Sequence, residues 1–197
     1  LPQFEGISVA AFVIVLQQVL IGAALGFFLQ LLLQLFILAG QMIAMQMGLG
    51  FAAMMDPANG VNVTVLSTFY MMLVSLLFIT FDGHLVMLAI LVESFETLPV
   101  GFEGLDGDVL LEIVTTISWA FSNALVLALP AVTALLLTNF AFGIMTRAAP
   151  QLNIFALGFP VALMFGLFIL WVTLGTVLDS VEPLFTEMFT MMRALIR

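Results

Sequence analysis

Residues 7–47 read ISVAAFVIVLQQVLIGAALGFFLQLLLQLFILAGQMIAMQM, and no proline, charge or polar turn cluster interrupts them. Wound as an α-helix at ~1.5 Å per residue, the run is about 60 Å long. That is twice the ~30 Å hydrocarbon core of a bilayer. The stretch is therefore a hairpin, or one long helix that leaves the bilayer or lies within protein. The missing turn signal favours the long helix, with Gly22–Gly26 as the place for a bend. Gly22-Ala-Ala-Leu-Gly26 is also a GxxxG match, a spacing that lets helices approach closely. It is common by chance in apolar helices.

Glutamines punctuate the same run. Gln30, Gln34 and Gln41 fall on one face at ~100° per residue, whereas Gln17, Gln18 and Gln46 point elsewhere. An unpaired amide in hydrocarbon is costly, so these groups are expected to meet other polar groups. Interhelical contacts within a bundle satisfy that demand, and so does the lining of a hydrated conduit. Either reading argues against a helix alone in lipid.

The run ends in Met47–Asn62, MGLGFAAMMDPANGVN. Gly48, Gly50, Pro57 and Gly60 break helix, while Phe51, Met54 and Met55 are large and apolar. Irregular backbone at membrane depth survives only against protein or a water-filled path. A soft plug in a pore has this composition; a buried connecting loop has it too. Methionine suits irregular, changing surfaces, and Met42, Met45, Met47, Met54 and Met55 cluster here.

The rest of the chain is equally apolar. Of its 197 residues, 64% are hydrophobic and 8% charged, which marks an all-α membrane protein of long, kinked helices arranged in hairpins. The second apolar segment is Val61–Thr80, capped early by Asn62 and Thr64. Phe81-Asp82-Gly83-His84 is a tight turn, followed by a short helix through Val92 and an acidic loop, Glu93–Asp108, with Pro99. Val109–Thr146 follows, with Pro130 expected to kink it. Arg147-Ala-Ala-Pro-Gln-Leu-Asn153 turns the chain into Ile154–Val177, completing a hairpin with its tip at Pro150. Ser180–Arg197 reads as a separate amphipathic helix. It places Thr186, Thr190, Arg193 and Arg197 on one face and Leu184, Met188, Met191 and Leu195 towards the other. The opening Leu1-Pro2-Gln3-Phe4-Glu5 does not resemble a signal peptide and is read as an internal start.

Charge and chemistry exclude much. The three basic residues are Arg147, Arg193 and Arg197, so there is no basic stripe for nucleic acid. Six of the twelve acids lie between Glu93 and Glu112, without a basic residue among them. That segment is expected to face away from the cytoplasm, with Arg147 on the cytoplasmic side. Cysteine is absent, and His84 is the single histidine, so thiolate and multi-histidine metal sites are ruled out. There is no lysine for a phosphate loop and no GxSxG elbow. No cofactor is implied. Asp56, Asp82, Asp179 and Glu182 are candidates for proton relay, yet each reads as a helix end or turn where a carboxylate caps amides. A proton-coupled small-solute transporter is the alternative they leave open, with an intramembrane hydrolase more distant.

Gln17-Gln18-Val-Leu-Ile-Gly22, Gln46-Met-Gly48, Asp56-Pro57, Asp82-Gly83-His84-Leu85, Leu98-Pro99-Val-Gly101, Ala149-Pro150-Gln151-Leu152-Asn153 and Gly158-Phe159-Pro160 run in order along the chain. Together they resemble the FliR family of flagellar biosynthetic proteins, with virulence export proteins as more distant relatives. The resemblance covers about Phe12 to Phe185, without the family's usual amino-terminal hydrophobic segment. It implies a non-enzymatic subunit of a type III export gate in the bacterial inner membrane at the flagellar basal body. FliP and FliQ would be its gate partners, FlhB its neighbour at the cytoplasmic entrance, and unfolded flagellar proteins its substrates. Residues 1–108 would be the FliP-like part and 109–197 the FliQ-like hairpin with its terminal helix, within a helical hetero-oligomer.

The resemblance also implies site roles. Phe51, Met54 and Met55 would plug the closed pore, with Gly48, Gly50, Asp56 and Pro57 at the loop base. Met54 stands where the family often has phenylalanine, and Ala58 where it often has glycine. Gln30, Gln34 and Gln41 would make interhelical polar contacts. Arg147, Pro150, Gln151 and Asn153 would form the cytoplasmic hairpin tip.

Overall fold

The computed structural model describes residues 9–49, 64–101, 109–148 and 154–196. Five helices account for nearly all of them: α1 Val9–Gln46, α2 Val65–Thr80, α3 Gly83–Thr97, α4 Val109–Ala148 and α5 Ile154–Leu195. Among the described residues there is no strand. α1, α4 and α5 contain segments long and apolar enough to cross a membrane. The all-α, membrane-type architecture expected from hydropathy is the one observed.

α1 is one continuous helix of 38 residues, as the lack of a turn signal predicts. α4 remains helical through Pro130 for 40 residues. Proline is accommodated in membrane helices because neighbouring groups re-satisfy the freed carbonyl.

Two boundaries differ from the sequence expectation. α3 continues past Val92 to Thr97, so Glu93 and Glu96 are helical. Their charge suggests a loop, but glutamate is a good helix former. The helix stops where proline demands it: Leu98, just before Pro99, has φ −118° and ψ 75°. The separate terminal helix is also corrected. α5 runs through Ser180 and Pro183 as a single helix of 42 residues. A change from all-round apolar to one-sided apolar is a change of surroundings, not of backbone. The amphipathic pattern itself is present, with Leu184, Met188 and Leu195 buried and Thr186 and Thr190 exposed.

α2 and α3 meet at 68°, and each is shorter than a bilayer span of ~20 residues. Asp82 makes the elbow. Its φ is 56°, in the left-handed region that few non-glycine residues other than Asn and Asp visit. Its amide donates to the Ile79 carbonyl at 3.1 Å, and its own carbonyl accepts from Leu85 and Val86. One residue thus closes α2 and opens α3. Gly83 follows because a β-carbon there would lie 2.6 Å from the Phe78 ring.

The chain forms two compact units. The first comprises Leu1–Leu33, Ser75–Ala120 and Glu182–Arg197. Within it Phe78 and Phe81 make edge contacts with Phe185, and Arg193 pairs with Glu93 at 3.3 Å. The second comprises Gln34–Val74 and Phe121–Val181. Its interior includes Leu35, Phe36, Ile43, Met47, Tyr70 and Val74, with Ala124, Ala128 and Ala131 buried along α4. Small residues at that spacing let helices pack closely.

Many large apolar side chains remain exposed, Trp171 at 73% and Met164 at 75% among them. A monomer in water does not carry so much contiguous apolar surface; lipid or protein partners cover it.

Candidate functional site

The site lies in the second unit, where the chain leaves α1 at Leu49 and returns at Thr64. Both ends of the intervening segment are tied down by backbone chemistry.

α1 ends in a Schellman motif. Leu49 N donates to the Ala44 carbonyl at 3.0 Å, and Gly48 N to the Met45 carbonyl at 3.1 Å. This geometry needs a left-handed residue just past the helix end, and Gly48 supplies it with φ 84°. The next orphan carbonyl, that of Gln46, accepts from Asn139 Nδ2 at 3.1 Å. Met47 is buried, and it fills the space that the missing side chain of Gly166 leaves open.

α2 begins with Thr64 as its N-cap. The Thr64 hydroxyl accepts from Ser67 N at 3.2 Å and shares a 2.9 Å hydrogen bond with the Ser67 hydroxyl. Gln41 joins the two ends. Its Oε1 accepts from Thr64 N at 3.3 Å and from Ser67 Oγ at 3.0 Å. The helices can approach this closely because of Gly40. A β-carbon there would lie 2.9 Å from Ser67 Cα and 2.8 Å from Tyr70 Cδ2.

Beside these ends is an apolar cavity of about 660 Å³, lined by Met47, Leu49, Leu66, Phe69, Leu167 and Trp171 among others. Tyr70 brings the one titratable group among the lining residues, and burial pushes its phenol up to about 12. Among the described residues no three His, Cys, Asp or Glu side chains converge as metal ligands.

The sequence-derived site residues divide as follows. Gly48 sits at the base, where its left-handed backbone is required. Gln41 bridges α1 and α2, while Gln30 and Gln34 are exposed on α1. Arg147 is exposed in the last turn of α4, a favourable end for a cation. Gly50, Phe51, Met54, Met55, Asp56, Pro57, Pro150, Gln151 and Asn153 lie outside the described residues. Asp82 and His84 are exposed at the elbow. Asp179 and Glu182 are exposed inside α5 rather than at a helix end, because the expected break after Val177 does not occur.

Four contributors escape a reading of the sequence: Ser67, Tyr70, Asn139 and Gly166. Asn139 carries a usable signal, as one of two amides, with Asn123, in an apolar helix. Gly166 carried none, since a single glycine in an apolar run has no distinguishing neighbours.

The profile of the family described as bacterial export proteins, family 1, matches residues 2–188. The flagellar biosynthetic protein FliR of Escherichia coli (strain K12) is 43% identical over 180 residues, covering 91% of this chain and 69% of that protein. FliR of Pectobacterium carotovorum subsp. carotovorum is 42% identical over 185 residues, covering 94% and 71%. The surface presentation of antigens protein SpaR of Shigella sonnei is 28% identical over 164 residues, covering 83% and 63%. With a family profile that spans almost its whole length and relatives this similar, the chain belongs to family 1 of the bacterial export proteins.

Proposed function

We propose that this chain is a subunit of the flagellar type III protein export gate and that segment 47–62 closes its lumen. The observation that carries the reading is the fixed base: the Schellman end at Gly48 and the Gln41-bound cap at Thr64 return the chain to its point of departure. A segment held at both ends can present Phe51, Met54 and Met55 to a pore without unravelling its helices. An apolar constriction suffices to exclude ions, because it dewets. No catalytic step is required in this reading.

In this reading the gate assembles with FliP and FliQ in the inner membrane at the flagellar basal body. Residues 1–108 pack like a FliP subunit and residues 109–197 like a FliQ subunit. Asp56 and Pro57 shape the loop base with Gly50. The turn at Arg147, Pro150, Gln151 and Asn153 faces the cytoplasmic entrance near FlhB, and exposed Gln30 and Gln34 meet polar groups of neighbouring subunits. The closer relatives are named for flagellar biosynthesis, which supports unfolded flagellar proteins as substrates over virulence effectors.

The test is ion conductance of the gate purified with FliP and FliQ and reconstituted in liposomes. Replacing Phe51 and Met54 together with alanine is expected to raise the resting leak at least several-fold. An unchanged leak in a fully assembled gate removes the plug assignment.

A further inference from the structure

We infer that Gln41 is the positioning residue that sets the register of α2 against α1. Its carbonyl oxygen has two acceptor sites, and both are filled from the far end of the segment, by Thr64 N and Ser67 Oγ. These contacts span 23 and 26 residues of sequence. Ser67 is fully buried and Thr64 nearly so, and Leu66, Ser67 and Tyr70 all pack against Gly40. Where water is scarce, a donor deprived of its acceptor keeps its full desolvation penalty.

The neighbouring contact at Gly40 is steric and apolar, which lets two helices slide. The hydrogen bonds are directional, which stops them. One turn away on the same face of α1 are Ile37 and Met45, and neither carries an oxygen acceptor. The next amide on that face is Gln34, two turns away, so a slide of one turn leaves α2 without its acceptor and only one of about 10 Å would offer another. The polar cluster thus fixes where α2 begins relative to where α1 ends.

The consequence for leak rests on the gate reading; the register does not, and the experiment separates them. The chain has no cysteine, so Met45→Cys and Phe69→Cys, both at exposed positions on α1 and α2, give a spin-label pair unique within it. Distance distributions are measured in the full-length chain assembled with FliP and FliQ, alongside ion leak of the same preparations.

Gln41→Met keeps the length of the side chain and removes its amide acceptor. It is expected to broaden the distribution and to raise leak at least tenfold, since both hydrogen bonds to Oε1 are lost and one buried hydrogen bond alone is worth about a factor of ten. Gln41→Glu retains an acceptor and is expected to keep both readouts near those of the parent. Broadening without leak supports the register role and counts against the plug. An unchanged distribution in Gln41→Met overturns the inference whatever the leak, as does equal broadening in Gln41→Glu. If Gln41→Met does not assemble, Ser67→Ala carries the test, since it removes one donor without touching α1. A parent-like distribution there overturns the inference as well.

Discussion

Met47 occupies the place of a side chain that Gly166 lacks. A β-carbon on Gly166 would lie 2.6 Å from Met47 Cε and 2.7 Å from its Cγ. The tip of methionine can move aside, but Cγ is held close to the backbone. Gly166→Ala is therefore expected to cost about 1–3 kcal/mol through overpacking, offset in part by up to ~1 kcal/mol of helix propensity. In a Met47→Ala background, itself about 2–5 kcal/mol less stable through the cavity it opens, the added cost of Gly166→Ala should largely disappear. Unfolding of the two single variants and the double variant in detergent measures the coupling. Additive effects would show that the contact does not matter.

Gly40 makes a sharper contrast with Gly22 and Gly26. A β-carbon on Gly40 meets the Ser67 backbone, which cannot rotate away, whereas those on Gly22 and Gly26 meet nothing within 4 Å. Gly40→Ala is expected to destabilise the chain by at least ~1–3 kcal/mol. Gly22→Ala and Gly26→Ala should be neutral or slightly stabilising in the isolated chain. Comparing each variant alone and co-purified with the partners of the proposed gate extends the test. Reduced assembly by Gly22→Ala with unchanged chain stability would place a partner helix against that face.

Gly48 and Asp82, both in the left-handed region, predict opposite tolerances. Gly48→Ala places a β-carbon at φ 84° and is expected to cost about 1–2 kcal/mol. Asp82→Gly relieves the strain at φ 56° and should be close to neutral, while Asp82→Val should cost more than Gly48→Ala because a branched side chain resists that region. Denaturant titration of the three variants orders them. A stable Asp82→Val would contradict the elbow geometry.

Glu93 and Arg193 pair at 3.3 Å with side chains 35% and 42% exposed. A pair this accessible is worth at most ~1 kcal/mol, and salt weakens it. Glu93→Gln and Arg193→Gln should each lower stability by that amount or less, with the effect shrinking as ionic strength rises. A double-mutant cycle at two salt concentrations measures it.

Hydropathy made the helices legible because membrane helices state their length in uninterrupted apolar residues. α1 is readable from one run without a breaker, whereas the α3 stop before Pro99 is not, because Glu93 and Glu96 suggest a loop from Glu93 onward. The continuity of α5 was not legible, since one-sided polarity after Val177 mimics a new element. At the site, Gly48 and Gln41 stood out as a breaker and an amide in apolar surroundings. Ser67, Tyr70 and Gly166 matter only through what faces them, and pairing across 26 or more residues is invisible to local pattern. Glu93 was misplaced for a related reason: acid content reports solvent, and a helix end can be solvated without being a loop.

The 38 residues of α1 bear on how the chain meets different membranes. To fit its ~57 Å within ~30 Å of hydrocarbon the helix would have to lean about 58° from the normal, beyond the 0–40° seen for membrane helices. Leaning cannot reconcile the two lengths, so part of α1 must end its apolar course against protein. Hydrophobic mismatch then has little hold on it, and a bilayer a few ångströms thicker or thinner should leave its angle unchanged. Lipid thickness, which sorts and tilts ordinary single spans, is a variable this helix does not read.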